Sequence, residues 1–378
     1  MFKTLFPPHN WEELIRHGAA VPDEGYMFHW PRGEPPDLPH GMQGRRQGIM
    51  AKLLKYLDPY IGLMALVVGV AVFFPAHGAG AVSAKYAANA SIIFLFFLYG
   101  TRLSPKAALD GLLQWKLQLA VLLCTFALFP ILGLAISPIF PAGFPAALVT
   151  GFMYLCVLPS TVQSSIAFTS IARGNVAAAL CAASASNILG VFLSPFLAGS
   201  LLHAQGAGFS LAVFRDITLQ LLVPFAAGQL MRPLLSEWVQ RNKKILSYAD
   251  RGSILLIIYV AFSRGMVDGT WTQLQLVDLF VLTVILCVLL AVVLGLAMII
   301  GLKILRLSKE DDIVLQFCGS NKSLASGLPM SAVIFPGPQQ SMIILPLMLF
   351  HQIQLIVCAV LARRLSHRDE VRQVIAPQ

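Results

Sequence analysis

The chain has 378 residues, of which 57% are hydrophobic and 12% charged, against about a quarter charged in soluble domains. A soluble enzyme built on a large core is excluded, and the balance is that of a polytopic membrane protein. The net charge of +9 does not argue for nucleic acid, because the basic residues sit in short loops and form no binding stripe.

Residues 1–50 stand apart from the rest. They are rich in Pro and His and carry Trp11 and Trp30. No apolar run follows a basic start, so this is not a signal peptide. The stretch reads as a poorly ordered cytoplasmic tail, or as an over-annotated start ahead of Met50. Ten apolar segments follow, near 59–75, 87–101, 115–137, 144–171, 175–201, 213–233, 249–267, 275–303, 311–335 and 340–363. Their lengths approach the ~17–25 residues that span a bilayer. Spans 1–5 occupy residues 51–203, spans 6–10 occupy 204–368, and 369–378 is a C-terminal tail. With the N-terminus inside, 20 Lys and Arg fall on the inner side, and Lys85, Arg215 and Arg264 on the outer. The positive-inside rule then gives ten helices with both termini cytoplasmic, in the plasma membrane or a bacterial inner membrane.

All six cysteines (Cys124, Cys156, Cys181, Cys287, Cys318 and Cys358) lie in apolar segments. They read as small packing residues rather than a disulfide framework. No CxxC and no paired Cys/His spacing suggests a metal site.

The chain repeats itself. "SIIFLFFLYGTR" at 91–102 aligns with "SILLIIYVAFSR" at 253–264, and "LGLA" at 132–135 recurs at 294–297, both at an offset of 162. The same offset carries "LPSTVQSSIAF" (158–168) onto residues around 320–330. Five spans per copy turn the second copy upside down, which makes these inverted repeats of the kind found in secondary transporters.

Two segments are interrupted by polar residues. In the fourth, Pro159 is followed by Ser160, Thr161, Gln163, Ser164 and Ser165. In the ninth, Gly319, Ser320, Asn321, Lys322 and Ser323 stand together. Irregular backbone at membrane depth is tolerated where it is buried in protein or lines a wet cavity. Two breaks at matching places point to a central site for ions or solute. Small polar residues also serve simply to pack helices. Lys322 costs on the order of 3 kcal/mol near the midplane, unless the segment is re-entrant and leaves it in water. His351, Gln352 and Gln354 lie well inside the tenth segment; His351 is either a cavity residue or a satisfied core histidine. The fifth segment is rich in Ala, Ser and Gly, and its mid-span polar groups are Ser184, Ser186 and Asn187.

The stretches "LPSTVQSSIAFTSIARGNVAAAL", "ASASNILGVFLSPFLAG" and "QFCGSNKSLASGLPM" resemble the bile acid:sodium symporter superfamily, in its SBF-like branch, over about residues 50–368. The resemblance implies an all-α membrane protein. Its ten helices divide into a core (spans 3–5 and 8–10), in which broken helices 4 and 9 cross, and a panel (spans 1, 2, 6 and 7). It also implies sodium ions beside the crossover, and no other cofactor. Carried over, the first sodium site involves Ser164 or Ser165, Ser184, Asn187 and Gln316. The second involves Gln316, the backbone of Phe317 and Gly319, Ser320 and Thr125. This chain departs from the pattern: Gln316 is neutral where a glutamate is usual, Ser320 replaces a longer glutamine, and Lys322 adds a charge. The ammonium is an alternative occupant of a sodium position, bonded by Ser160, Thr161 or Asn321.

The expected function is secondary transport of a small or amphipathic organic anion by alternating access, sodium-coupled or with Lys322 in place of a cation. Rivals are an ion-flux regulator of the same fold and a scaffold binding through the basic run "RNKKILSYADR". An enzyme is not expected, since HExxH, GxSxG and paired intramembrane aspartates are absent. The expected partners are the solute and membrane lipids, with no nucleic acid, and the chain is a monomer or weak dimer.

Overall fold

The structure is a computed structural model and describes residues 59–102, 114–202, 215 and 218–366. The tail at 1–50, the start at Met50, the C-terminal 369–378 and the loop carrying Lys106 lie outside the described residues. Those described form helices and short connections, with no strand among them. In chain order the helices are α1 Pro59–Phe73, α2 Gly78–Arg102, α3 Trp115–Ile139, α4 Ala146–Cys156, α5 Gln163–Ile171 and α6 Val176–Leu202. They continue with α7 Val223–Arg241, α8 Lys243–Val267, α9 Leu276–Ile304, α10 Lys309–Ser320, α11 Leu324–Ile334 and α12 Gln340–Ser366.

Among the described residues six helices, α2, α3, α6, α8, α9 and α12, are long and apolar enough to cross a membrane. Large apolar side chains such as Phe192 on α6 and Phe280 on α9 point outward. This is the reverse of a soluble surface and the pattern of a protein solvated by lipid. The chain is a multi-pass membrane protein.

Three boundaries differ most from the sequence expectation. α7 runs on to Arg241 rather than ending at 233. α2 begins at Gly78 rather than at 87, because the run "GAGAVSAKYAANA" forms helix readily while being only weakly hydropathic. α8 begins at Lys243, so most of the run "RNKKILSYADR" is helix rather than free loop. Its Leu246 packs with Leu98 of α2 and Val239 of α7, which holds these first turns in place.

The fourth apolar segment divides into α4 and α5, and the ninth into α10 and α11. Residues 157–162 and 321–323 are not α-helical. Pro159 has no N–H to continue the ladder of α4. Asn321 is extended (φ −81°, ψ 144°). Ser323 then caps α11 by accepting from the Ser326 N–H at 3.2 Å. At the far end of α10, Ser308 accepts from the Asp311 N–H at 3.1 Å. Glu310, Asp311 and Asp312 in the first turn complement the helix dipole.

Packing sorts the helices into two groups. α7 lies along α2, and α8 packs on both α1 and α2. α2 and α7 cross with backbones almost touching: a Cβ on Gly100 would overlap the Phe225 carbonyl, and one on Gly228 the Phe97 carbonyl. Such small-residue crossings are how helices associate closely in lipid. In the second group α12 lies on α4, where Gly151 admits the Ile343 backbone. There α10 packs against α3, α5, α6 and α9. The groups meet where α8 lies along α11 and α12. The helix order also recurs along the chain. Starts at Trp115, Ala146, Gln163 and Val176 are followed by starts at Leu276, Lys309, Leu324 and Gln340, separations of 161, 163, 161 and 164 residues.

Candidate functional site

The two non-helical stretches are bonded to one another. The Ser323 N–H donates to the Pro159 carbonyl at 2.9 Å. Breaking a helix at membrane depth frees peptide groups that lipid cannot satisfy, and side chains of α6 take several of them up. The Ser160 N–H donates to Ser186 Oγ at 3.0 Å. Asn187 Nδ2 donates to the Ser160 carbonyl at 2.8 Å and to the Ala183 carbonyl at 2.9 Å. This is why α6 carries serine and asparagine mid-helix. Ser160 Oγ is buried and has no hydrogen-bond partner among the described residues.

Lys322 stands where the two breaks meet and is fully buried. Its Nζ donates to the carbonyl oxygens of Thr125 at 2.8 Å, Cys156 at 3.0 Å and Leu158 at 2.7 Å. An ammonium has three N–H donors, and all three are used. The Phe129 ring covers the group, with its centroid 4.0 Å from Nζ, close enough for a cation–π contact. The acceptors differ from the expected Ser160, Thr161 and Asn321. They are main-chain oxygens.

Local sequence explains why these carbonyls are free. Cys156 and Leu158 lie at the end of α4, where Pro159 and the break remove the donors that a continuing helix would supply. Thr125 lies in a π-helical turn, Cys124–Leu128, after which the Phe129 N–H bonds the Cys124 carbonyl, five residues back. The next donor in that register would be residue 130, and it is a proline. The Thr125 carbonyl is therefore left for Lys322. The Thr125 hydroxyl, expected as a ligand, donates to the Val121 carbonyl of its own helix at 2.8 Å.

Gln354 of α12 holds the peptide of Lys322 from the other side. Its Oε1 accepts from the Lys322 N–H at 2.8 Å, and its Nε2 donates to the Lys322 carbonyl at 2.9 Å. His351, one turn away, presents Nδ1 to the same amide nitrogen at 2.9 Å. Of the expected site residues, His351 is thus joined to Lys322 through Gln354.

The remaining expected residues fall into separate hydrogen-bonded groups. Thr161 bonds Ser164 and Ser165; the latter pair is 3.1 Å apart. Ser165 Oγ also donates to the Phe317 carbonyl at 3.3 Å and accepts from Asn321 Nδ2 at 3.1 Å. Asn321 Oδ1 receives the Cys358 thiol at 3.3 Å. A second group joins Ser323, Ser326 and Asn187. In a third, Gln316 Nε2 donates to Asp312 Oδ2 at 2.6 Å, while Ser320 Oγ donates to the Gln316 carbonyl. Ser184 is buried on α6, and Gln163 is exposed at the start of α5. Gly319 lets α10 approach Cys124 of α3 closely.

The donors proposed for sodium are therefore divided among these groups, with no acidic side chain among them; Asp312 stands behind Gln316. The set does not fit a sodium ion as assembled, whereas three main-chain carbonyls converge on Lys322 Nζ. Sequence reasoning missed Phe129, the Cys156 and Leu158 carbonyls and the Asp312 partner of Gln316. Pro130 inside the third span was the available signal for the freed Thr125 carbonyl.

The model of the SBF-like CPA transporter family matches residues 58–367. Among curated relatives, YfeH of Escherichia coli is 48% identical over 322 residues, covering 85% of this chain and 97% of that protein. PA2026 of Pseudomonas aeruginosa is 50% identical over 311 residues, covering 82% and 93%. Sodium/bile acid cotransporter 7 of Rattus norvegicus is 26% identical over 290 residues, covering 74% and 82%.

Proposed function

The chain belongs to the SBF-like CPA transporter family, a family of transporters and not of enzymes, and on that premise we propose that it moves a small or amphipathic organic anion by alternating access. In this reading α4–α5 and α10–α11 are the broken fourth and ninth of ten spans, arranged as two inverted repeats. The recurrence of helix starts at nearly constant separation supports it, as do matched breaks, a feature of secondary transporters. α1, α2, α7 and α8 form a panel that moves against a core made by the other helices. Both termini lie in the cytoplasm, as the loop charges favour, and the membrane is the plasma membrane or a bacterial inner membrane.

The observation that carries the reading is the Lys322 ammonium held on three carbonyls at the crossing of two broken helices. A tethered cation takes the position that a coupling ion would need, so transport does not require sodium at that position. The positive charge and the first turn of α5, which no side chain caps, favour an anionic solute. Gln163 of α5 and Ala325 of α11 are both exposed in the first turns of their half-helices. Tyr99 of the panel donates to the Ala325 carbonyl at 3.1 Å. The solute site accordingly lies at these turns, between panel and core.

Uptake of radiolabelled organic anions into proteoliposomes tests this. Accumulation of at least one anion above empty liposomes is expected. Unitary ion conductance in planar bilayers, with no anion uptake, would support the ion-flux regulator instead.

A further inference from the structure

Gln354 cannot turn its amide over. Oε1 must face the Lys322 N–H and Nε2 the Lys322 carbonyl, because a peptide N–H only donates and a peptide carbonyl only accepts. The second hydrogen of Nε2 then points at His351 Nδ1, 2.9 Å away. His351 Nδ1 is accordingly an acceptor, and the imidazole is neutral with its proton on Nε2. A proton added to Nδ1 turns that acceptor into a donor facing a donor. The bond breaks, and flipping Gln354 to restore it would sacrifice both bonds to the Lys322 peptide. The half-buried ring of His351 is therefore linked to the buried break by groups with no freedom to adapt.

We infer that His351 is a proton-binding site, and that proton uptake at Nδ1 releases Gln354 from the crossover so that the break and its lysine can shift. The ligand is a proton and the released element is the Lys322 peptide. The titratable groups on α12 and on the elements packed against it are these. α12 itself carries the buried thiol Cys358, with Arg363 and Arg364 in its last turn. α10, which shares an apolar cluster with α12, carries Lys309, Glu310, Asp311 and Asp312 in its first turn and the buried thiol Cys318. α3, whose Phe129 ring meets Phe350, carries Lys116 in its first turn and the buried thiol Cys124. α5 and α11 carry no titratable side chain. On α4 the Tyr154 hydroxyl is committed to the Gly327 carbonyl, and Cys156 is a buried thiol. On α8 Asp250 pairs with Arg102, and Arg264 reaches the Pro336 carbonyl and Asp268. Lys243, Lys244, Tyr248 and Arg251 sit in its first turns, and Tyr259 donates to the Phe74 carbonyl. On α9 Asp278 caps the first turn, Lys303 lies in the last, and Cys287 is an exposed thiol. Gln354 joins the Lys322 peptide to His351. A role for protons as the coupling ion rests on the transporter reading; the linkage itself does not.

The test is amide hydrogen exchange of the full chain in lipid nanodiscs, read on peptides covering 317–330 and corrected for intrinsic exchange. The comparison runs between about pH 8 and about pH 5, the range over which histidine gains its charge. Wild type is expected to lose on the order of tenfold protection there at the lower pH, the scale of one hydrogen bond. His351→Gln keeps an acceptor that does not titrate and is expected to stay protected at both. Gln354→Leu is expected to be weakly protected at both. Protection on α2 and α7 reports that each variant is folded. Wild-type protection independent of pH, the wild-type response persisting in His351→Gln, or full protection in Gln354→Leu would each overturn the inference. The measurement uses no solute, so it fails or succeeds separately from uptake.

Discussion

Replacing Lys322 with alanine removes the donors of three buried carbonyls at once. Thr125, Cys156 and Leu158 sit 2.8, 3.0 and 2.7 Å from Nζ. An orphaned buried acceptor costs about 1–3 kcal/mol, so three set a scale of roughly 3–9 kcal/mol. About 3 kcal/mol returns because a lysine no longer has to be held at membrane depth, leaving a net loss of a few kcal/mol. The vacated ring of oxygens suits a small monovalent cation. An ion at a hundred times its dissociation constant would restore about 2.7 kcal/mol. Thermal unfolding in nanodiscs, with sodium exchanged for N-methylglucamine at constant ionic strength, reads both effects. Wild type is expected to unfold at the same temperature in either salt. Lys322→Ala is expected to unfold earlier and to recover part of the loss in sodium. A sodium-dependent wild type beside an indifferent variant would refute the reasoning.

Two further predictions concern the scaffold. Pro130→Ala supplies a peptide N–H in register with the Thr125 carbonyl, which then competes with Lys322 for it. Transport is expected to fall several-fold while the folded protein survives, and a variant with unchanged uptake would show that the proline is not what frees the carbonyl. Gly228→Leu drives a side chain into the Phe97 carbonyl at the crossing of α2 and α7. A loss of about 1–3 kcal/mol is expected from forced separation of the helices, read as a lower unfolding temperature; Gly62→Leu, where a Cβ meets open space, is the control.

Much of this architecture was readable because it is written in side chains. Pro159 and the cluster Gly319–Ser323 mark both breaks, and the two lie at the 162-residue offset of the sequence repeat. Lys322 stood out because a charge at membrane depth has to be accounted for. The partners of that charge were not readable, since a carbonyl oxygen belongs to every residue and has no letter of its own. Thr125 shows the limit: its hydroxyl invited a ligand role, yet the hydroxyl folds back onto Val121 and the main chain does the binding. Gln354 and His351 were noticed for being polar. What they do depends on amide orientation, which only the position of the Lys322 peptide decides. The weakly hydropathic start of α2 and the amphipathic start of α8 were missed for a different reason. Hydropathy locates what faces lipid, and these turns are held by packing against neighbouring helices.

The central claim is that a tethered ammonium stands in for a coupling cation at the crossover. Its most direct test is a sodium titration of organic-anion uptake in proteoliposomes, comparing wild type with Lys322→Ala at matched protein density. The account predicts wild-type uptake that is flat across the titration, and a variant that is inactive without sodium and regains uptake when sodium is present. Wild-type uptake that climbs from zero with sodium would contradict it.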